Sequence, residues 1–182
     1  MEQLIMRWKN DHTDPKRIEM PENCSIVTFP GLDHAVEKWL DIIQYGLTGN
    51  RKTPDYYKSA MLSIPEYRDD KCFFILESGV AVATITVICN YKTLEGYIHM
   101  VACNDSVRGK GFGNLLGKIA ENVLKSEGME TAYLTTDDWR IPAIKSYLKI
   151  GFKPDLSTED FKERWEKIYD KIGLTMERTD SE

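Results

Sequence analysis

From residue 71 onward the chain switches between two hydrophobic periods. Lys71–Glu77 (KCFFILE), Val80–Cys89 (VAVATITVIC) and Glu95–Cys103 (EGYIHMVAC) are short apolar runs rich in β-branched and aromatic residues, and they predict three successive strands. Ser78-Gly79 between the first two is a hairpin signal. The period then lengthens. Phe112, Leu115, Leu116, Ile119, Ala120, Val123 and Leu124 recur at the spacing of one helix face, and Gly128 ends that helix as a left-handed cap. Thr131–Thr136 predicts another strand, and Pro142 to Ile150 a helix with proline in its first turn and Gly151 at its close. Phe152 opens a short extended segment before Pro154. Phe161, Trp165, Ile168, Tyr169 and Ile172 form the apolar face of a last helix, capped by Ser157 or Thr158.

The N-terminal third is patterned less sharply. Residues 1–22 are polar after an apolar start and predict an arm with an edge strand at Leu4–Trp8. Cys24–Phe29 reads as a strand stopped by Pro30-Gly31. Asp33 is placed to cap a helix running to Tyr45, with Ala35, Val36, Trp39, Leu40 and Ile43 on one stripe. A shorter helix follows Pro54 and is stopped by Pro65. A β-meander followed by two β-α steps predicts a mixed α/β fold on one sheet. The expected organisation is a single domain over 1–182, with an arm at 1–22 and a helical extension at 156–182.

Composition narrows the function classes. The chain has 182 residues with 24 Lys+Arg against 29 Asp+Glu, a net charge of -5. No apolar run reaches the roughly 18–20 residues of a bilayer-spanning helix, and the start lacks the basic-then-apolar order of a signal peptide. No membrane partner is expected. An acidic chain also lacks the excess of cations that nucleic acid requires, so no nucleic-acid partner is expected. Cys24, Cys72, Cys89 and Cys103 form no close pair, and three of them sit in strand-like runs; they are read as reduced thiols of a cytoplasmic protein. With only His12, His34 and His99 beside them, no metal site is expected.

Chemistry concentrates at residues 103–116, where a strand leads through Arg108-Gly109-Lys110-Gly111-Phe112-Gly113 into an amphipathic helix. The glycines allow tight backbone, and the first N–H groups of the helix are left unpaired beside the positive end of its dipole. Arg108 and Lys110 add local charge. Together these features suit a phosphate. The spacing is neither a P-loop, since Lys110 is not followed by Ser or Thr, nor a dinucleotide fingerprint, whose third glycine would fall elsewhere.

What remains resembles the GNAT acetyltransferase superfamily, whose pyrophosphate loop reads [QR]-x-x-G-x-[GA]; Arg108 to Gly113 agrees at each defined position. Downstream, Ala143, Tyr147, Gly151 and Phe152 agree with N-x-x-A-x-x-x-Y-x-x-x-G-F, with Arg140 in place of the Asn. The resemblance covers residues 70–155 well. It implies a mostly antiparallel splayed sheet flanked by helices and acetyl-CoA, or another acyl-CoA, as donor. It further implies that the strand Tyr97–Cys103 splays from Thr131–Thr136, so that main-chain groups near Val101 and Cys103 pair with the pantetheine arm. The N–H groups of Gly109, Lys110, Gly111, Phe112, Gly113 and Asn114 would hold the pyrophosphate.

Acyl transfer to an amine needs a neutral amine and a proton for the departing thiolate. Tyr147 stands where the family often has a tyrosine beside the sulfur, and its phenol is protonated at neutral pH; it is the candidate acid, or else a helix tyrosine packed in the core. By strand alternation Glu95, Tyr97, His99, Val101 and Cys103 share a face. His99 is the candidate base, or else a histidine held by one structural hydrogen bond. Asp137 or Asp138 is placed to meet a cationic acceptor or to cap a helix. The aromatic and acidic N-terminal helices (Trp39, Tyr45, Tyr56, Tyr57, Glu66, Tyr67) are placed to wall an acceptor pocket. The resulting expectation is an N-acetyltransferase acting on a small-molecule or peptide amine. A non-catalytic acetyl-CoA-binding module and O- or S-acetyl transfer are the alternatives. Oligomeric state stays open, a homodimer included.

Overall fold

The computed structural model describes residues 2–176; residues 177–182, counted above in the C-terminal helical segment, lie outside the described residues. Strands β1 (Leu4–Lys9), β2 (Cys24–Thr28), β3 (Cys72–Glu77), β4 (Val80–Asn90), β5 (Glu95–Cys103), β6 (Thr131–Thr136) and β7 (Lys153–Pro154) join in one sheet of order β2-β3-β4-β5-β6-β1-β7. Every pairing is antiparallel except β5–β6. Helices α3 (Phe112–Ser126), α4 (Ile141–Lys149) and α5 (Glu159–Ile172) share one hydrophobic core with the sheet, while α1 (Ala35–Ile43) and α2 (Pro54–Tyr57) build a second, aromatic one. That second core centres on Trp39 and Phe74, both fully buried, with Phe29 stacked on Tyr57. This mixed, mostly antiparallel open sheet is the α/β class expected.

The N-terminal strand is not an edge strand. β1 lies between β6 and β7, pairing Leu4 with Thr136 and Lys9 with Thr131 on one side and Met6 with Pro154 on the other. The reason is its alternation: Leu4, Met6 and Trp8 all face the core and are buried, which an edge position would leave half wet. The first helix also begins later than expected. His34 precedes it with φ 52°, so Asp33 falls outside the helix and no side chain caps it. The C-terminal helix is capped by Thr158, whose hydroxyl accepts from the Phe161 N–H at 3.1 Å.

Two backbone irregularities in β5 shape the molecule's centre. Opposite β4, Thr84 pairs with Ala102 but Thr86 with His99, so Met100 and Val101 face the single residue Ile85. Met100 takes φ 53°, a left-handed conformation that a bulge can demand. One extra residue inverts the side-chain parity. The strict alternation expected for Glu95 to Cys103 therefore fails. Tyr97 and His99 stay on the α2 side, where His99 bonds Ala60, while Val101 and Cys103 pack against the α3–α4 core. On its other side β5 pairs with β6 only from Glu95 to Ile98, against Thr131 to Leu134. Beyond that point the strands part, leaving the β6-facing main chain of residues 99–103 without a ladder. The splay implied by the resemblance is present.

The C-terminal helix is no loose appendage. Trp165 is fully buried in the main core, and Arg164 ties the helix to two other segments. Its Nη2 donates to Asp138 Oδ1 (2.5 Å) and the Glu2 carbonyl (3.0 Å), its Nε to Asp138 Oδ2 (3.0 Å), and its Nη1 to Asp160 Oδ2 (3.0 Å). Asp138 thus anchors α5 and does not cap α4, one of the two roles considered from sequence. The guanidinium holds the Asp138 carboxyl below its ordinary range. Arg164→Met should lower unfolding stability by about 1–3 kcal/mol, measured by urea denaturation at pH 7. Because a depressed carboxyl stabilises above its unfolded pKa and loses that contribution as pH falls through its folded value, the deficit should shrink in acid. A deficit unchanged at low pH would show that packing, not the charge, supplies it.

Candidate active site

After β5 the chain makes one short turn, Asp105–Val107, held by Asn104 Oδ1 accepting the Ser106 N–H at 3.1 Å. Val107 is buried and pins the loop to the core. Gly109 and Gly111 follow with φ 78° and 85°, a region L side chains avoid, and Gly111 is the residue from which α3 starts. Among the described residues, the N–H groups of Gly111, Phe112 and Gly113 find no backbone acceptor. Buried Phe112, Leu115 and Leu116 anchor the helix beneath them. The result is a rigid row of donors at the positive end of a four-turn helix, the arrangement that suits a diphosphate.

This loop forms one wall of a cavity of about 620 Å³. The second wall is the unpaired stretch of β5, at Val101, Ala102 and Cys103, and the third is α4 with Pro142, Ala143, Ser146 and Tyr147. Tyr45 and Gly46 close it from the kinked end of α1, where Gly46 turns at φ 80°. Asn114 Oδ1 is buried beside this wall with no hydrogen-bond partner, an orphaned acceptor at the head of the helix.

The tertiary structure brings most of the singled-out residues to this one space. Val101, Cys103, Arg108, Gly109, Gly111, Phe112, Gly113, Asn114 and Tyr147 all line it. Lys110 does not: it turns to the other side of the loop, pairs with Glu77 (3.0 Å) and borders a separate cavity of about 160 Å³. Arg108 is likewise paired, with Asp105 at 2.7 Å, and its guanidinium lies beside Gly46. The local positive charge is thus partly neutralised in the chain itself.

Tyr147 is nearly buried at 7% exposure, its ring tilted against Phe152 with centroids 6.2 Å apart. Burial pushes its phenol well above the ordinary value, with Cys103 and Tyr97 adding to the rise and the Arg140 charge opposing it. Burial likewise pushes the Cys103 thiol up to about 11, so it stays protonated at neutral pH.

His99 lies outside the cavity lining. Its Nε2–H donates to the Ala60 carbonyl at 3.0 Å, which leaves Nδ1 as the acceptor for the Tyr97 hydroxyl at 3.1 Å. Burial lowers its pKa, so the neutral tautomer holds these two bonds together. Asp137 is bound on the rim, accepting from Gln3 Nε2 at 3.1 Å and sitting 3.0 Å from Arg140 Nε as an ion pair. Two lining residues carried no role in the sequence reading. Trp139 is 65% exposed at the cavity, and Arg140 stacks on its ring at 4.9 Å. Their signal was position alone, at the carboxyl end of a strand followed by a helix.

Comparison with known proteins agrees with this fold. The profile of the Acetyltransferase (GNAT) family matches residues 36–152. No curated protein matches the sequence. Among solved structures, a GCN5-related N-acetyltransferase from Sphaerobacter thermophilus superposes with a TM-score of 0.67 at 21% identity, covering 85% of this chain and 50% of that one. This chain therefore spans half the length of that protein. The ribosomal-protein-S18-alanine N-acetyltransferase from Escherichia coli aligns with a TM-score of 0.59 at 17% identity, over 71% of this chain and 77% of its own. Ard1 from Thermoplasma volcanium aligns with a TM-score of 0.58 at 21% identity, over 76% and 91%. At these identities the structural likeness shows the fold.

Proposed function

The chain belongs to the acetyltransferase (GNAT) family, and from that premise we propose that it transfers an acetyl group from acetyl-CoA to an amine by direct attack. The observation that carries the reading is the single cavity joining an unpaired strand edge, a row of free N–H groups and a buried phenol. A pantetheine arm is an extended chain of amides, and residues 99–103 offer it the main-chain partners that β6 withholds. The donors from Gly111 to Gly113 suit its diphosphate, and the orphaned Asn114 Oδ1 can accept from a hydroxyl or amino group beside it. When bound, acetyl-CoA supplies an activated thioester carbonyl and a thiolate leaving group. The chain positions that thioester, and Tyr147 Oη holds the proton that the leaving sulfur needs.

The test begins with binding. Acetyl-CoA at 100 times its dissociation constant should stabilise the protein by about 2.7 kcal/mol, visible as a rise in thermal midpoint. No rise at millimolar acetyl-CoA overturns the reading. A free-thiol assay with a panel of amines, hydroxyl compounds and thiols then follows CoA release. Binding without release from any acceptor would make the protein an acetyl-CoA-binding module.

A further inference from the structure

Among the described residues, every charged side chain that lines the cavity is a cation: Arg108, Arg140, Lys145 and Lys149. No carboxylate lines it, so its field favours an anion. Three of the four stand with the glycine loop. Arg108 belongs to that loop and is paired with Asp105. Lys145 and Lys149 flank Ser146, whose hydroxyl oxygen lies 3.2 Å from where a Cβ on Gly113 would sit. Arg140 stands elsewhere. It precedes the first turn of α4, roughly 13 Å short of Lys149 along the helix axis. Its partner Asp137 accepts from Gln3, the residue that leads into β1, so Arg140 lies on the β6–β1 side of the gap and the loop on the β5 side. A helical tyrosine points back toward the start of its helix, and the Arg140 charge reaches the Tyr147 phenol.

Arg140 is held without being satisfied. Its Nε is 3.0 Å from Asp137 Oδ2 but too far off line for a hydrogen bond, and it is buried with no hydrogen-bond partner. The plane of the guanidinium is fixed by Trp139, whose exposed ring lies 4.9 Å away. Because Nε is buried, what Arg140 shows to the cavity is its outer edge, Nη1 and Nη2. An arginine braced on an aromatic ring with that edge outward pairs fork to fork with a carboxylate. It is also the position at which the chain departs from N-x-x-A-x-x-x-Y-x-x-x-G-F, so the contact is this chain's own. An acetyl group is uncharged, and the loop with its three cations serves the donor's phosphates. Resting on the acetyl-transfer reading, we propose that Arg140, braced by Trp139, binds a carboxylate on the acceptor, which is therefore an amine of the free amino acid class. The reaction balances. The neutral nitrogen forms the C–N bond and releases one proton to water; the C–S bond breaks and the sulfur takes the Tyr147 proton, which water restores. The carboxylate takes no part and leaves with the N-acetylated product.

The test compares the common amino acids with their carboxamides, following CoA release and, in parallel, acetyl-CoA binding by calorimetry. At least one free acid should be acetylated, with kcat/KM about tenfold or more above that of its amide. Arg140→Gln should raise KM for that acid about 10–100-fold, with kcat, the amide's KM and the acetyl-CoA Kd each within twofold of the parent. Arg140→Lys keeps the charge and loses the fork, so it should recover part of the loss. Trp139→Leu changes an exposed side chain that folding does not need. It should raise the same KM severalfold, and it carries the test if Arg140→Gln does not fold. A parent that prefers the amides, or an acid-to-amide ratio unchanged in Arg140→Gln, overturns the inference. A weakened acetyl-CoA affinity in Arg140→Gln does so too, by putting Arg140 on the donor's phosphates. A parent preference for succinyl-CoA over acetyl-CoA that Arg140→Gln abolishes would move the carboxylate to the acyl group and overturn it likewise. Acetyl-CoA binding with no amino acid acetylated overturns it as well. Failure to bind acetyl-CoA overturns the acetyl-transfer reading itself, and this inference with it.

Discussion

Tyr147→Phe should reduce turnover by roughly 100-fold while leaving acetyl-CoA affinity within twofold of the parent. The substitution removes one oxygen and little else. The ring stays against Phe152 in a core that includes Ile144 and Ile150, so packing and the thermal midpoint should hardly change. What is lost is a proton donor at the end of the cavity where α4 faces the unpaired stretch of β5. That donor is robust to pH. Burial raises the phenol's pKa, with Cys103 and Tyr97 adding to the rise, so the oxygen keeps its proton well into the alkaline range. The deficit of the variant should therefore be constant from about pH 6 to 9. Steady-state kinetics by thiol release, paired with calorimetric titration of acetyl-CoA, separates chemistry from binding. Turnover within twofold of the parent would remove Tyr147 from the proposed mechanism.

Gly111→Val should weaken acetyl-CoA binding on the order of 100-fold, the sum of a conformational penalty and an obstruction. The residue has φ 85°, which a β-branched side chain reaches only at a cost of about 1–3 kcal/mol. Relaxing that strain would turn the N–H row of α3 away from the cavity. No atom lies within 4 Å of a side chain built there, so the protein itself does not reject it; the new methyl groups instead occupy the cavity margin where a diphosphate would approach. Gly79→Val provides the control, since Gly79 has φ 81° in the β3–β4 hairpin and does not line the cavity. It should cost comparable stability and leave binding intact. Equal affinity in both variants, measured by calorimetry, would show that the loop backbone does not hold the ligand.

Much of the fold was legible because local pattern and tertiary burial agree. The apolar face Phe112, Leu115, Leu116, Ile119, Ala120, Val123 and Leu124 predicted α3, and all but the half-buried Val123 are buried. Gly128 and Gly151 were read as helix ends from residue type, and they take φ 70° and 88°. The placement of β1 was not legible, since nothing in its six residues names its partners. Its neighbours, β6 and β7, come more than 120 residues later, and the pairing is decided by their open edges and by the core that receives Leu4, Met6 and Trp8. Asp138 was misread for the same reason. Its role depends on Arg164, 26 residues away on a helix whose packing no local signal describes.

The sequence by itself determined the elements and the loop: alternating runs set the strands, a 3.6-residue period set the helices, and three glycines with a flanking arginine marked where a phosphate could rest on a helix start. Those are properties of a few consecutive residues, so a linear pattern carries them. Only the tertiary structure decided what faces what. One extra residue at Met100 inverts the parity of β5, which sends Val101 and Cys103 toward the cavity and leaves His99 on the opposite face beneath Tyr97. The same strand leaves β6 after Ile98, and that parting frees the β6-facing main chain of residues 99–103. Register and separation are set by contacts between distant segments, whose energies the local pattern does not contain.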